Sequence, residues 1–450
     1  MGHIVLKNGN PTPASMPSMY ASTTPTTHKK PHHSIVISTV HLKMWHLLLL
    51  LFQATASAAL TVGGGGFGVG IGGGGGVWIG SGGGGSGGSD PNLQKAYTAL
   101  QAWKSAISSD PSGILKSWVG PNVCSYNGVF CSSEEADSFS QSNGVVVVAG
   151  IDLNHGNLQG TLVKELSLLT DLSLLHLNTN RFSGQIPDSF SDLKSLTELD
   201  LSNNQFSGPF PSSILLVPNL IYLDLRFNAF SGPIPEELFT KNLDAIFLNN
   251  NRFTGELPQN LGNSPSSVIN LANNGFSGEI PFSLGYAGSR IKEILFLNNQ
   301  LTGCIPEGVG LWTDLQVLDV SYNSLGGRLP ESMSCLTEIE VLNLGHNRLM
   351  GELDELVCSL RSLVNLTLAS NFFSGLSQEC NQLPLRNVGF DFSLNCIPGR
   401  QMQRPQPDCS GIRGGSLSCL RFPSVVKPIV CGALLGGQAT LSSPPPPPPS

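Results

Sequence analysis

The groups able to do chemistry in this 450-residue chain are its ten cysteines, its 31 carboxylates and a few histidines and aromatic rings. The cysteines are Cys124, Cys131, Cys304, Cys335, Cys358, Cys380, Cys396, Cys409, Cys419 and Cys431. An even number of them favours disulfides, and no Cys-x-x-Cys pair offers half of a structural zinc site. The carboxylates sit in no context of nucleophile and base, and no phosphate loop is present. Glycine-rich "GGGGFGVGIGGGGGVWIGSGGGGSGG" (63–88) contains G-x-G-x-x-G and G-x-S-x-G, but neither falls between a strand and a helix. Catalysis, a metal centre and a cofactor are therefore not expected. What remains is recognition: acids that attract a basic partner and rings that anchor it.

The elements that would hold these groups follow from a repeat. Aligned on glycine, one motif recurs at Gly160, Gly184, Gly208, Gly232, Gly255, Gly278, Gly303, Gly327, Gly351, Gly375 and Gly399, at intervals of 23 to 25 residues. Asparagine keeps the same register from Asn180 to Asn395, with Gly156 the exception in the first unit. A fixed period of this size means a solenoid. In "LDLSNNQFSGPFP" (199–211), Leu199 and Leu201 point one way and Asp200 the other, as in a short strand with one buried face. The chain then turns, and asparagine in the turn can bond to unpaired neighbouring backbone, so stacked copies should form a ladder. Phe206 fills the interior, Gly208 permits tight backbone and Pro211 sets an extended path behind. No unit buries its own apolar face, so each must be its neighbour's core.

This spelling, L-x-L-x-x-N-x-[LF]-x-G, resembles the leucine-rich repeat, and "SGQIP" (183–187), "SGPIP" (231–235) and "SGEIP" (277–281) resemble its plant extracellular subclass. The resemblance implies an α/β solenoid, a right-handed superhelix of about 11 repeats with disulfide-stabilised caps. "GELDE" (351–355) and "GLSQE" (375–379) lack the proline, so an irregular back is expected there. Leu93, Tyr97, Leu100, Trp103 and Ile107 follow helical spacing, enough to cover the open end. The "SWVGPNVCSYNGVFC" that follows (117–131) resembles the N-terminal cap of plant leucine-rich repeat proteins, which implies a Cys124–Cys131 bridge. Cys335 and Cys358 lie eight and seven residues after their glycines, so they should stand on adjacent coils and pair.

One elongated domain with low-complexity flanks results. Residues 1–58 form a leader in which "KMWHLLLLLFQATASA" (43–58) has the layout of a secretory signal, with Met44 an alternative start. Its apolar run is too short to span a bilayer. A Gly-rich linker (59–89), an N-terminal cap (90–144), the repeats (145–399), a cysteine-containing C-terminal cap or hinge (400–436) and a Pro-rich tail (437–450) follow. The linker is either a flexible spacer or a wall-adhesive segment. "SSPPPPPPS" (442–450) is extended polyproline II and resembles the Ser-Pro block of extensins, where such prolines are hydroxylated and glycosylated. Cap, repeats, hinge and tail together resemble the leucine-rich repeat extensins.

The net charge is −7, yet the leader holds four lysines and no acid, and residues 400–450 hold five basic groups against one acidic, so the acidity belongs to the repeats. Outward positions beside the strand leucines carry Asp152, Glu198, Asp200, Asp224, Glu293, Asp319 and Asp391 against one cation, Arg226, with Tyr222, Phe227, Phe247 and Tyr322 among them. Either this is a binding strip for a basic peptide, or its aspartates are only a solvated face. His176 and His346 share the groove, and Asn365-Leu366-Thr367 is a glycosylation sequon at a strand edge. The family resemblance implies secreted, basic, cysteine-containing peptides of the rapid alkalinisation factor type as ligands, linking wall to growth signalling. A polygalacturonase inhibitor, or a structural glycoprotein whose linker and tail meet pectin or other wall polymers, are the alternatives. A homodimer linked through Cys409, Cys419 or Cys431 stays open, and nucleic acid is not an expected partner.

Overall fold

The computed structural model describes residues 91–133, 145–285 and 290–410. The expectations for the leader, the linker, the tail, the hinge beyond 410, and Cys419 and Cys431 lie outside the described residues.

Each repeat contributes a three-residue strand to an inner parallel sheet, from Leu174–His176 through Glu198–Asp200 and Tyr222–Asp224 to Gly389–Asp391. Val146–Asp152 opens that sheet and is covered by an antiparallel strand, Val129–Ser133, from the N-terminal cap. In Glu198–Asp200 the central Leu199 is fully buried and its neighbours are half-buried, the alternation that a pleated strand with one core face demands.

The sequence reading placed one strand in each repeat, and the structure has two in most of them. The Asn-x-Phe-Ser-Gly segment is itself extended, and Arg181–Gly184, Gln205–Gly208 and Ala229–Gly232 pair in a second sheet of eight strands. Phe182 and Phe206 point inward there while Ser183 and Ser207 point out. Gly208 then turns at φ 97°, where a Cβ would meet the Gln185 side chain at 3.0 Å. Behind the proline the chain forms 3-10 turns such as Asp188–Asp192 and Glu236–Thr240. Where the proline is missing, Asp354 accepts the amide of Leu356 and starts a short α-helix, Glu355–Cys358.

Two ladders run through the coils. Asn228 Oδ1 accepts the Phe206 amide at 3.0 Å, and its Nδ2 donates to the carbonyls of Leu201, Leu225 and Arg226. Asn204, Asn251, Asn274, Asn299, Asn323, Asn347, Asn371 and Asn395 repeat this bonding coil by coil. Beside it Phe182, Phe206, Phe230, Phe253 and Phe276 stack with centroids 6.2 to 6.4 Å apart.

Helix Pro91–Ala106 closes the N-terminal end with Ala96, Ala99, Leu100 and Trp103, whose ring lies 5.7 Å from Phe182. Leu93 and Tyr97 pack against the core edge, but Ile107 leaves the helix and begins a strand on Gln159–Thr161. Cys124 and Cys131 are bridged. The expected Cys335–Cys358 pair does not exist, because Cys358 is bridged to Cys380 with Cα atoms 5.0 Å apart. Both cysteines belong to the two repeats without proline, whose backs place Glu355–Cys358 beside Gln378–Gln382. Cys304 and Cys335 are each disulfide-bonded. Cys409, a candidate for linking two chains, is consumed by Cys396.

Replacing Asn228 by Ala strips the Phe206 amide of its acceptor and three carbonyls of a donor. Urea unfolding should show a loss of about 3 kcal/mol, against a few tenths for Gln205→Ala on the exposed side.

Candidate functional site

The inner sheet presents its outward side chains in rows. One row runs Asp152, His176, Asp200, Asp224, Phe247, Asn270, Leu295, Asp319, Asn343, Thr367 and Asp391. A second runs Glu198, Tyr222, Ala245, Val268, Glu293, Val317, Val341 and Asn365. The twelve residues expected to form the strip lie on or beside these rows, but they fall into separate groups rather than one continuous strip.

At the N-terminal end the acids are open. Asp152 is exposed, and Asp200 is half-buried while accepting from the Ser202 amide and hydroxyl. Glu198 stands 3.2 Å from His176 Nε2. Burial alone would lower the imidazole's pKa, but Glu198, Asp200 and Asp152 outweigh it and hold the pKa above its ordinary value.

The next group is a closed nook. Asp224 is fully buried, with the Tyr222 hydroxyl 3.3 Å away and the Arg226 amide 3.0 Å away. Arg226 Nε lies 2.9 Å from the carboxylate without aiming its N–H along that line, so the contact is charge pairing more than a hydrogen bond. Burial first, and Asp200 second, push the Asp224 carboxyl up to about 7 against the pull of Arg226. Burial also raises the Tyr222 phenol. Phe247 packs under both, its ring 5.8 Å from Tyr222 and 5.1 Å from the Arg226 guanidinium. Phe227 alone points away from this nook into solvent, 47% exposed, on a left-handed backbone with φ 53°.

Asp319 is likewise interior, holding Ser321 and Asn343, and burial raises its carboxyl. The two acids expected as surface charges, Asp224 and Asp319, therefore do structural work. Tyr322 is 53% exposed, also on left-handed backbone, and stacks on His346 at 4.0 Å. Asn365 accepts from the Thr367 hydroxyl of its sequon on the same face.

The sequence reading passed over the centre of the face. Val268, Leu295, Leu297, Val317 and Val341 occupy outward positions and are half-buried, and Asn249 Oδ1 is buried with no donor. The signal was apolar letters at alternating positions where the repeat usually places polar ones. Two cavities of about 310 and 700 Å³ lie elsewhere, by Cys358 and Arg386 and by Glu352 and Ser377. Among the described residues no cluster of three or more His, Cys, Asp or Glu could hold a metal ion, and no helix is long and apolar enough to cross a membrane.

Residues 93–132 match the "Leucine rich repeat N-terminal domain" family, and 171–193, 195–215, 219–240 and 314–336 match "Leucine Rich Repeat". Leucine-rich repeat extensin-like protein 6 of Arabidopsis thaliana is 56% identical over 74% of this chain and 69% of its own length. Leucine-rich repeat extensin-like protein 7 of the same plant is 61% identical over 73% and 74%. The chain belongs to the leucine-rich repeat extensin-like family. Its fold is also that of larger plant receptors: a TDR receptor aligns with TM-score 0.53 and 32% identity over 56% of this chain and 44% of its own. The ectodomain of the receptor kinase GASSHO1/SCHENGEN3 from Arabidopsis thaliana, solved in complex with Casparian strip integrity factor 2, gives 0.54 and 27% over 63% and 36%. The extensin-like chain thus spans less than half of either receptor chain.

Asp224 fixes a sign for this family member's pH response. A carboxyl raised from 3.8 to about 7 gives stability that is full below the lower value and lost as pH rises through the upper one. His176, also raised, acts in the same direction. Stability should therefore fall between about pH 4 and about pH 7, and thermal melts of Asp224→Asn should show a shallower fall than wild type.

Proposed function

We propose that this protein is an extracellular cell-wall component whose inner sheet binds a secreted, basic, cysteine-containing peptide of the rapid alkalinisation factor type, linking the wall to growth signalling. The observation that carries this reading is the pairing of open acids with exposed rings on one face. Asp152, exposed, and Glu198 and Asp200, half-buried, lie on the strands before the coil that carries Phe227, and Tyr322 lies further along the same sheet. A bulky residue with positive φ is costly, and the fold accepts that cost at both rings while leaving them uncovered. Such strain suits an anchor that is buried only when a partner arrives. The receptor ectodomain solved with an integrity factor supports the reading by analogy of fold. Secretion, hydroxylated prolines, contact of the flanks with pectin, a glycan at Asn365 and a homodimer belong to the same proposal. A glycan on Asn365 would occupy the C-terminal part of the face and confine the peptide to the earlier repeats.

Calorimetric titration of the full chain with a rapid alkalinisation factor peptide should give binding that weakens with salt. Asp200→Asn should flatten that salt dependence, and Phe227→Ala should weaken binding about tenfold without lowering the melting temperature. Inhibition of a polygalacturonase with no peptide heat would replace this reading by the inhibitor alternative.

A further inference from the structure

The middle of the inner sheet departs from both of its ends. Next to the Tyr222–Asp224–Arg226 nook, the outward positions change from charged to apolar. Val268 and Leu295, then Val317 and Val341, stand on consecutive strands, and Leu297 extends the patch one position beyond Leu295. Half-buried, they present methyl groups to the open face, where the repeat pattern would tolerate any polar residue at no cost to the core.

Polar residues interrupt this floor: Asn270, Asp319 and Asn343 are bonded to their neighbours, and the acceptors of Asn249 and Glu293 are the ones that remain. Asn249 is 7% exposed, and its Oδ1 is buried with no donor, the kind of group that costs free energy unless something supplies a hydrogen bond. Glu293 lies between Val268 and Val317 on neighbouring strands, and burial raises its carboxyl. An apolar floor with isolated acceptors is suited to an extended peptide, which brings apolar side chains together with backbone N–H groups. It is poorly suited to a densely charged chain, whose cations would lose water without finding a partner for each.

Charge sets the orientation. The carboxylates of Asp152, exposed, and of Glu198 and Asp200, half-buried and facing one histidine, His176, lie on the N-terminal side of the floor, and Asp224 between them and the floor is already matched by Arg226. From the strand Glu198–Asp200 to Val317–Asp319 is a distance of about 24 Å at ordinary strand spacing, the reach of about seven extended residues.

We propose that the floor from Phe247 to Val341 takes the apolar half of one extended peptide segment whose basic half lies over Asp152, Glu198 and Asp200. This rests on the peptide-binding reading above and gives that ligand a polarity: basic toward the N-terminal cap, apolar toward the centre of the solenoid. Salt-sensitive attraction and salt-insensitive affinity are then separable properties of two neighbouring patches.

The test uses the full chain and two synthetic probes, a peptide with lysines at one end and leucine and valine at the other, and a lysine-only peptide of equal charge. The double variant Leu295→Ser/Leu297→Ser should bind the mixed peptide about tenfold more weakly, with its salt dependence unchanged and its negative heat-capacity change reduced. Its affinity for the lysine-only peptide should not change, whereas Asp200→Asn should weaken both. Val268→Thr, nearly the same shape, supplies the same comparison if the double variant fails to fold. A photoreactive group at the apolar end should label residues 293–319, and one at the basic end residues 152–200. Wild-type affinity in the apolar variants, or labels in the reverse order, overturns the inference and leaves the peptide-binding reading standing. Failure of wild type to bind the mixed peptide better than the lysine-only peptide also overturns it. The peptide-binding reading is judged separately, by the titration with the rapid alkalinisation factor peptide.

Discussion

Every coil of this protein depends on one side chain being able to accept one hydrogen bond and donate several. Where the chain leaves the inner strand it must turn inside the protein, away from water, and the turn leaves an amide and carbonyls without sheet partners. Asparagine meets that demand: Asn204 accepts the Phe182 amide and donates to Leu177, Leu201 and Ser202. Aspartate lacks the donor and leucine lacks both, so the residue is set by bonding arithmetic. The phenylalanine stack, the second sheet and the 3-10 backs all assume that this turn is satisfied. Each asparagine serves the coil before its own, so the first unit, with Gly156 at that place, still has its Leu158 amide and Leu153 carbonyl met by Asn180 of the next coil.

Because the interior is fixed by leucine, asparagine and phenylalanine, the outward positions of the inner sheet, Asp224 and Asp319 aside, carry little folding duty. They divide into open acids, a neutralised nook and an apolar floor, so the number of acidic letters overstates the charge a partner would meet. Asp224 and Asp319 are spent on their own neighbours. What remains is a surface graded from charged to apolar along the solenoid, with two exposed rings held on strained backbone.

Much of the architecture was legible because period and alternation are properties of letters. The glycine register, the inward leucines, the asparagine ladder and the helical cap could all be read that way. Two features could not. The second sheet follows from Phe182 and its equivalents being inward while their neighbours face out, a three-residue alternation too short to distinguish from a turn. The bridge from Cys358 to Cys380 depends on how two repeats without proline fold their backs, and counting from glycine assumes backs that follow the same path. At the candidate site the residue types were visible, but the burial of Asp224 and the apolar character of the centre emerge only when neighbouring coils are laid side by side.

The cross-links have a mechanical meaning. In a stack where each coil touches only the next, an applied pull would peel turns from an end, one small barrier at a time. Cys124–Cys131 locks the first cap, and Cys358–Cys380 joins the back of one late coil to the next. Cys396–Cys409 then ties the last repeat to the segment beyond it. Tension arriving from the C-terminal side would meet covalent bonds before it reached the hydrogen-bonded coils of residues 145–300. Most of the graded face is thereby placed in the part of the molecule that load would disturb last.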